Sequence, residues 1–116
     1  MNKRKLGLKG ERCAADYLLL HGYKILAQNY RCLYGEIDII ALKMNTIVFV
    51  EVKTRTSGDY GMGIEAVNHF KQQRIRKAAM CYLSESKARY KALRFDVIGI
   101  FMSGDKTQLT HIQNAF

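Results

Sequence analysis

An α/β fold with a mixed central β-sheet flanked by helices, in the order αβββαββ, is predicted for this chain by three observations. A segment of helical periodicity comes first, and two short apolar runs around a polar tetrapeptide follow it as a hairpin. A long amphipathic segment then separates the hairpin from two further strands and makes the crossover between them.

The first helix reads from about Leu8 to His21, with Ala14, Ala15, Tyr17 and Leu18 on one apolar face and Gly22 as a stop. Glu11 precedes Ala14, Ala15 and Leu18 by three, four and seven residues, so it turns inward with them. Two readings of Glu11 stay open: a carboxylate aimed at a site, or a first-turn glutamate favoured by the helix dipole and by Lys9 and Arg12.

Tyr23 to Tyr30 reads as a strand and Arg31 to Gly35 as a turn. The runs Ile37-Asp38-Ile39-Ile40-Ala41-Leu42 and Ile47-Val48-Phe49-Val50 then flank Lys43-Met44-Asn45-Thr46, and the second run ends on Glu51-Val52-Lys53. A register symmetric about Met44-Asn45 pairs positions summing to 89, so Leu42 faces Ile47, Ile40 faces Phe49 and Asp38 faces Glu51. Cross-strand Cβ atoms lie roughly 4.5–5.5 Å apart, where like charges destabilise unless a cation or a proton sits between them. Lys53 shares the face of Glu51, while Ile37, Ile39, Val48, Val50 and Val52 take the other.

Such charges in apolar strands cost several kcal/mol by desolvation, which a divalent metal with a phosphate would offset, so the pattern points to a metal-dependent nuclease. The competing reading is a salt bridge from Glu36 to Lys53, which the same register places opposite one another. It leaves Asp38 against Glu51 unexplained.

Thr54 to Gly63 is polar, holds three glycines and reads as a loop that would shape a substrate mouth. Ile64 to Ser84 reads as the second helix, with an apolar stripe of Val67, Phe70, Ala78, Ala79, Tyr82 and Leu83. Lys71, Arg74, Arg76 and Lys77 cluster along it, a pattern that suits a phosphate backbone and also occurs on solvated faces. Ser86 to Lys91 is a basic link, Leu93 to Phe101 a strand, Ser103 to Lys106 a turn and Thr107 to Ile112 the last strand.

At 116 residues, with no repeat, proline or linker, the chain is expected to form one domain spanning 1–116. Its 19 basic and 10 acidic side chains give a net charge of +9, which favours a polyanionic partner and makes nucleic acid the leading candidate. No run approaches the roughly 18 apolar residues of a membrane span, and no apolar stretch follows the basic start, so a soluble, cytoplasmic protein is expected. Cys13, Cys32 and Cys81 lack metal-site spacing and read as reduced, packed thiols, and His21, His69 and His111 are equally scattered.

The pattern of an Asp, then Glu-x-Lys at the end of an apolar strand, with a glutamate on a preceding helix, resembles the PD-(D/E)xK nuclease superfamily. Further blocks carry the resemblance: Gly10-Glu11, Gly22-Tyr23, Asn29-Tyr30-Arg31, Gly35 to Ala41, Val48 to Arg55, Glu65-Ala66-Val67 and Arg94-Phe95-Asp96-Val97. Together they look like the YraN family of small predicted endonucleases, similar in fold to archaeal Holliday junction resolvases, and they cover roughly residues 7 to 101.

The resemblance implies a restriction-endonuclease-like core and a metal-dependent endonuclease acting on DNA, with branched DNA such as junctions or forks as the favoured substrate. Asp38 and Glu51 would hold Mg²⁺ or Mn²⁺, helped by the Val52 carbonyl. Lys53 would stand near the attacking water, and Glu11 would be the additional acid of the resolvase branch. Ile37 stands where the motif's name places a proline. Arg31, Arg55, Lys71, Arg74, Arg76 and Lys77 are the expected nucleic-acid contacts. A junction carries two strands to cut, which suits a homodimer, though no residue pattern marks an interface. The alternative function is a catalytically silent nucleic-acid-binding module on the same fold.

Overall fold

Asn2 starts the first helix earlier than its apolar periodicity does. Its side chain accepts the Lys5 N–H at 2.9 Å, so α1 runs Lys3–Leu20 and Glu11 lies beyond its first turn. Gly22 ends it at φ +86°, where the Tyr23 N–H reaches the Leu18 carbonyl and the Gly22 N–H that of Leu19. The dipole reading of Glu11 loses its basis, because that effect fades within the first turn.

The computed structural model describes residues 2–56 and 67–116. After α1 come β1 (Lys24–Cys32), β2 (Gly35–Lys43), β3 (Thr46–Thr56), α2 (His69–Glu85), β4 (Ala92–Ser103) and β5 (Lys106–Ile112), the predicted order. The sheet has the spatial order β1-β2-β3-β4-β5. Its β3–β4 pair is parallel, bridged by the α2 crossover, and its other three pairs are antiparallel.

Other boundaries also differ from the sequence reading. The first turn shrinks to Leu33-Tyr34 because Arg31 and Glu36 are cross-strand partners, with Arg31 Nε 3.5 Å from Glu36 Oε2. Glu36 thus pairs with Arg31 and not with Lys53, as the competing salt-bridge reading had it. The expected loop does not begin at Thr54, since Thr54, Arg55 and Thr56 pair with Ile100, Phe101 and Met102. The rest of that loop and the predicted helix start at 64–66 lie outside the described residues. The described helix begins at His69, where the Asn68 side chain accepts the Lys71 N–H at 2.8 Å.

The β2–β3 register is the predicted one, from Lys43↔Thr46 to Ile39↔Val50. Its turn is set by Met44 and Asn45, both at positive φ (49° and 70°), as a two-residue type I′ hairpin requires.

One helix packs on each sheet face. Ala14, Ala15 and Leu18 of α1 meet Ile39, Ala41, Val48, Val50, Ile98 and Ile100, while Ile75, Ala78 and Ala79 of α2 meet Ile37, Ile40, Ile47, Phe49 and Val97. Burial on both faces explains why the central strands read as unbroken apolar runs. Ile37 therefore joins the α2 side and not, as simple alternation predicts, the side of Ile39. Alternation breaks at Asp38 between them.

The Cys81 thiol packs against that of Cys32, a contact that raises its pKa, and all three cysteines are free. No described helix is long and apolar enough to cross a membrane.

Candidate functional site

The β2–β3 ladder stops at Ile39↔Val50, one step short of the expected Asp38–Glu51 pair. Beyond it, Asp38 Oδ2 accepts the Val52 N–H at 2.8 Å, so a carboxylate takes the place of a strand carbonyl. Across Asp38 on the other side, Gln28↔Ile39 and Tyr30↔Ile37 leave Asn29 at φ +52° as its unpaired neighbour. Irregular backbone on both flanks frees Asp38 to turn toward Glu51. Burial, a hydrogen bond with Glu51 and the Glu51 charge push the Asp38 carboxyl well above the usual carboxylate range, outweighing the Val52 N–H. The two carboxylates are adjacent, as register predicted, through side chains instead of ladder bonds.

Glu51 is only 7% exposed, on the α2 face of β3. A cleft of about 470 Å³ opens there, lined by Glu36, Asp38, Glu51, Asn68, Phe70, Lys71, Arg74 and Ile75. Lys71 Nζ stands 2.7 Å from Glu51 Oε2 as an ion pair, and that buried oxygen has no other partner among the described residues. The ammonium on Glu51 therefore comes from α2. Lys53 follows Glu51 on the same face, as alternation requires, but makes no ion pair with any described residue.

The other basic residues divide. Arg74 lines the cleft and donates through Nε to the Tyr34 carbonyl at 3.1 Å, and Lys77 lies over the Tyr34 ring. Arg55 falls on the Glu51 face by alternation, farther along β3. Arg31 sits at the end of β1, paired with Glu36. Arg76 turns away: its guanidinium packs over Phe95 at 4.7 Å and Phe116 at 5.5 Å.

Glu11 approaches from the opposite face. Helix α1 comes very close to β3, since a Cβ on Gly10 would strike the Thr54 side chain. Glu11 lines a separate recess with Leu8, Lys9, Arg12, Gln28 and Asn29. Burial raises its pKa, a hydrogen bond with Asn29 opposes this, and the charges of Glu36 and Glu51 add to the rise. Its Oε1 is also buried without a partner. Glu11 thus lies within electrostatic reach of Asp38 and Glu51, at the distorted Asn29–Asp38 level, without lining their cleft.

Sequence reasoning gives no site role to Asp96, the most buried carboxylate among the described residues at 0% exposure. Arg94 donates to it through Nε and Nη2, His111 Nε2 lies 2.7 Å away and the Asn114 N–H donates at 3.1 Å. His111 Nδ1 lies 3.0 Å from the Tyr17 hydroxyl, and Arg94 Nη2 also donates to Tyr23. Burial pushes Asp96 up, but these hydrogen bonds and the Arg94 charge hold it below the ordinary range. The signal was present: an Asp inside an apolar strand, two residues after an Arg on the same face.

Asp96 is saturated with donors and clamps the α1 side of the sheet; Glu51 Oε2 is met by the Lys71 ammonium alone, and Glu11 Oε1 by no donor. That contrast tests whether a metal suits the site. Among the described residues, no three His, Cys, Asp or Glu side chains converge as a metal cluster. Mg²⁺ usually takes only one or two protein carboxylates and keeps several waters, so the adjacent Asp38–Glu51 carboxylates, facing a cleft, fit.

A five-stranded mixed sheet with one helix on each face, in the order αβββαββ, defines a restriction-endonuclease-like core. Residues 10–100, which span Glu11, both strands of the carboxylate pair and most of β4, match the Uncharacterised protein family UPF0102, and the chain belongs to that family, the YraN family. It is similar to a UPF0102 protein of Geobacter metallireducens, 53% identical over all of this chain and 95% of the relative. UPF0102 proteins of Caldanaerobacter subterraneus (49%, covering all of this chain and 98% of the relative) and Thermodesulfovibrio yellowstonii (49%, covering all and 99%) are similar along their lengths.

Proposed function

We propose that this protein is a Mg²⁺- or Mn²⁺-dependent endonuclease that hydrolyses phosphodiester bonds in DNA. The observation that carries the reading is the Asp38–Glu51 pair: two touching carboxylates in a cleft whose other wall presents Lys71 and Arg74. Structural carboxylates are saturated as Asp96 is, whereas this pair faces an opening. Branched DNA, such as junctions or forks, is the favoured substrate, on the resemblance drawn from the sequence.

Asp38 and Glu51 would hold the ion, with the Val52 carbonyl next to the amide that already anchors Asp38. A divalent ion held there supplies positive charge to a phosphoryl oxygen and makes water more acidic. Asp38, fixed by the Val52 N–H, and Glu51, fixed by burial, keep the ligand pair in position. Lys53, on the face of Glu51, orients the attacking water and meets developing negative charge. Glu11 adds an acid from its own recess on the α1 side, holding water by its unsatisfied oxygen. Lys71, Arg74, Lys77 and Arg55 line the path of the phosphate backbone on the same side, and Phe70, 72% exposed among them, offers a ring to an unpaired base.

The deciding experiment incubates purified protein with linear, forked and four-way DNA in Mg²⁺ or Mn²⁺, beside Glu51→Ala. Cleavage by wild type alone supports the enzyme; equal cleavage by both proteins identifies a contaminant and sinks the claim.

The Lys71–Glu51 contact favours a second reading, a silent nucleic-acid-binding module in which a lysine has replaced the metal. Both readings give salt-sensitive DNA binding, so Mn²⁺ titration separates them. An enzyme site binds Mn²⁺ and loses it in Asp38→Asn; a pure binder does not respond.

A further inference from the structure

We propose that Lys71 and a divalent ion compete for the same oxygen of Glu51, so that metal binding displaces the Lys71 ammonium and transfers it to the phosphate backbone. The inference rests on the reading of Asp38 and Glu51 as a metal site and adds a coupling between metal and nucleic acid.

Four observations support it. Lys71 Nζ lies 2.7 Å from Glu51 Oε2, a buried oxygen with no other partner among the described residues. An ion taking that oxygen would meet the ammonium at contact distance, and two cations cannot share it without strong repulsion. The partners differ in freedom: the Glu51 side chain is 7% exposed and that of Lys71 47%, so the lysine is the group that moves. Its backbone does not follow, because the Asn68 side chain holds the Lys71 N–H in the first turn of α2. The displaced ammonium then swings within a cleft it shares with Arg74, where a phosphate is the natural counter-ion.

The coupling has a definite sign. An ion on Glu51 frees one positive charge for the polyanion, and a phosphate that captures Lys71 uncovers Glu51 for the ion. By linkage each ligand then favours the other to the same degree.

Calorimetric titration of MnCl₂ into the full chain, without DNA, tests the competition in wild type, Lys71→Met and Lys71→Arg. Lys71→Met is expected to bind Mn²⁺ on the order of tenfold more tightly, the effect of removing one close charge, while Lys71→Arg stays near wild type. An Mn²⁺ affinity in Lys71→Met equal to or weaker than wild type, with circular dichroism unchanged, overturns the inference and leaves the metal reading standing. No Mn²⁺ binding by wild type or by any variant takes down both. If Lys71→Met does not fold, Lys71→Gln takes its place under the same criteria.

The transfer to phosphate is read from the salt dependence of binding to a phosphorothioate duplex in EDTA and in Mn²⁺. The wild-type log–log slope should steepen by about one contact when Mn²⁺ is added, and that of Lys71→Met should not. Equal slope changes in the two proteins overturn the transfer.

Discussion

Asp38 Oδ2 accepts the Val52 N–H at 2.8 Å where the β2–β3 ladder ends, so one carboxylate both completes the sheet's hydrogen bonding and faces Glu51. Substitutions can separate the two roles. Asp38→Ala leaves the Val52 N–H without its acceptor and is expected to cost about 1–3 kcal/mol. Asp38→Asn keeps an acceptor and removes a charge that burial and Glu51 disfavour, so its stability in EDTA should equal or exceed wild type while Mn²⁺ binding is lost. Urea denaturation in EDTA checks this, and equal stability of the two variants would remove the hydrogen bond's role.

Glu11→Gln separates fold from chemistry at the helix. The raised pKa of Glu11 means that the folded state disfavours its charge, so the amide should fold as well as wild type or better. Cleavage should fall at least about tenfold, in the usual range for a general acid–base or orienting group. Wild-type rates in a folded variant would remove Glu11 from the site.

Gly10 and Thr54 control how closely α1 lies on β3. Gly10→Ala puts a methyl group into the Thr54 side chain and should destabilise by about 1–3 kcal/mol through overpacking. Thr54→Ala removes two of the three crowding atoms, so the double variant should recover part of the loss in thermal unfolding. Strict additivity would show that the two residues do not press on each other.

Asp96 makes stability sensitive to acid. Its pKa is lowered from 3.8 in the fold, so its contribution is complete above that value and is lost as pH falls through the lower folded pKa, where the unfolded chain already holds the proton. Asp96→Asn should be less stable at neutral pH by up to about 3 kcal/mol, because Arg94 loses its charged partner. Its stability should also fall less steeply than wild type below about pH 4. Parallel acid limbs in the two proteins would contradict the lowered pKa.

Arg74 and Arg76 are neighbours in sequence with different expected roles. Arg74→Ala should weaken DNA binding and reduce the salt slope by about one contact. Arg76→Ala should leave that slope unchanged and cost about 1 kcal/mol of stability through the lost contacts with Phe95 and Phe116. A shallower slope in Arg76→Ala would return it to the nucleic-acid surface.

By itself the sequence determined the order of elements and the β2–β3 register, because alternation, a two-residue turn at Met44-Asn45 and burial on both faces leave few other pairings for such apolar runs. It also marked Asp38 and Glu51 as anomalous, since a charge in an apolar strand is conspicuous without coordinates. Tertiary structure alone decided which groups answer those charges. The Asp38–Val52 bond, the Lys71 ammonium on Glu51, the turning of Arg76 onto Phe95 and the saturation of Asp96 by Arg94 and His111 join side chains from separate elements. Each depends on distances of a few ångströms and on angles that local periodicity does not encode. Even Glu11, legible as an inward carboxylate, acquired its setting only when α1 closed on β3 at Gly10 and Asn29 left the regular strand.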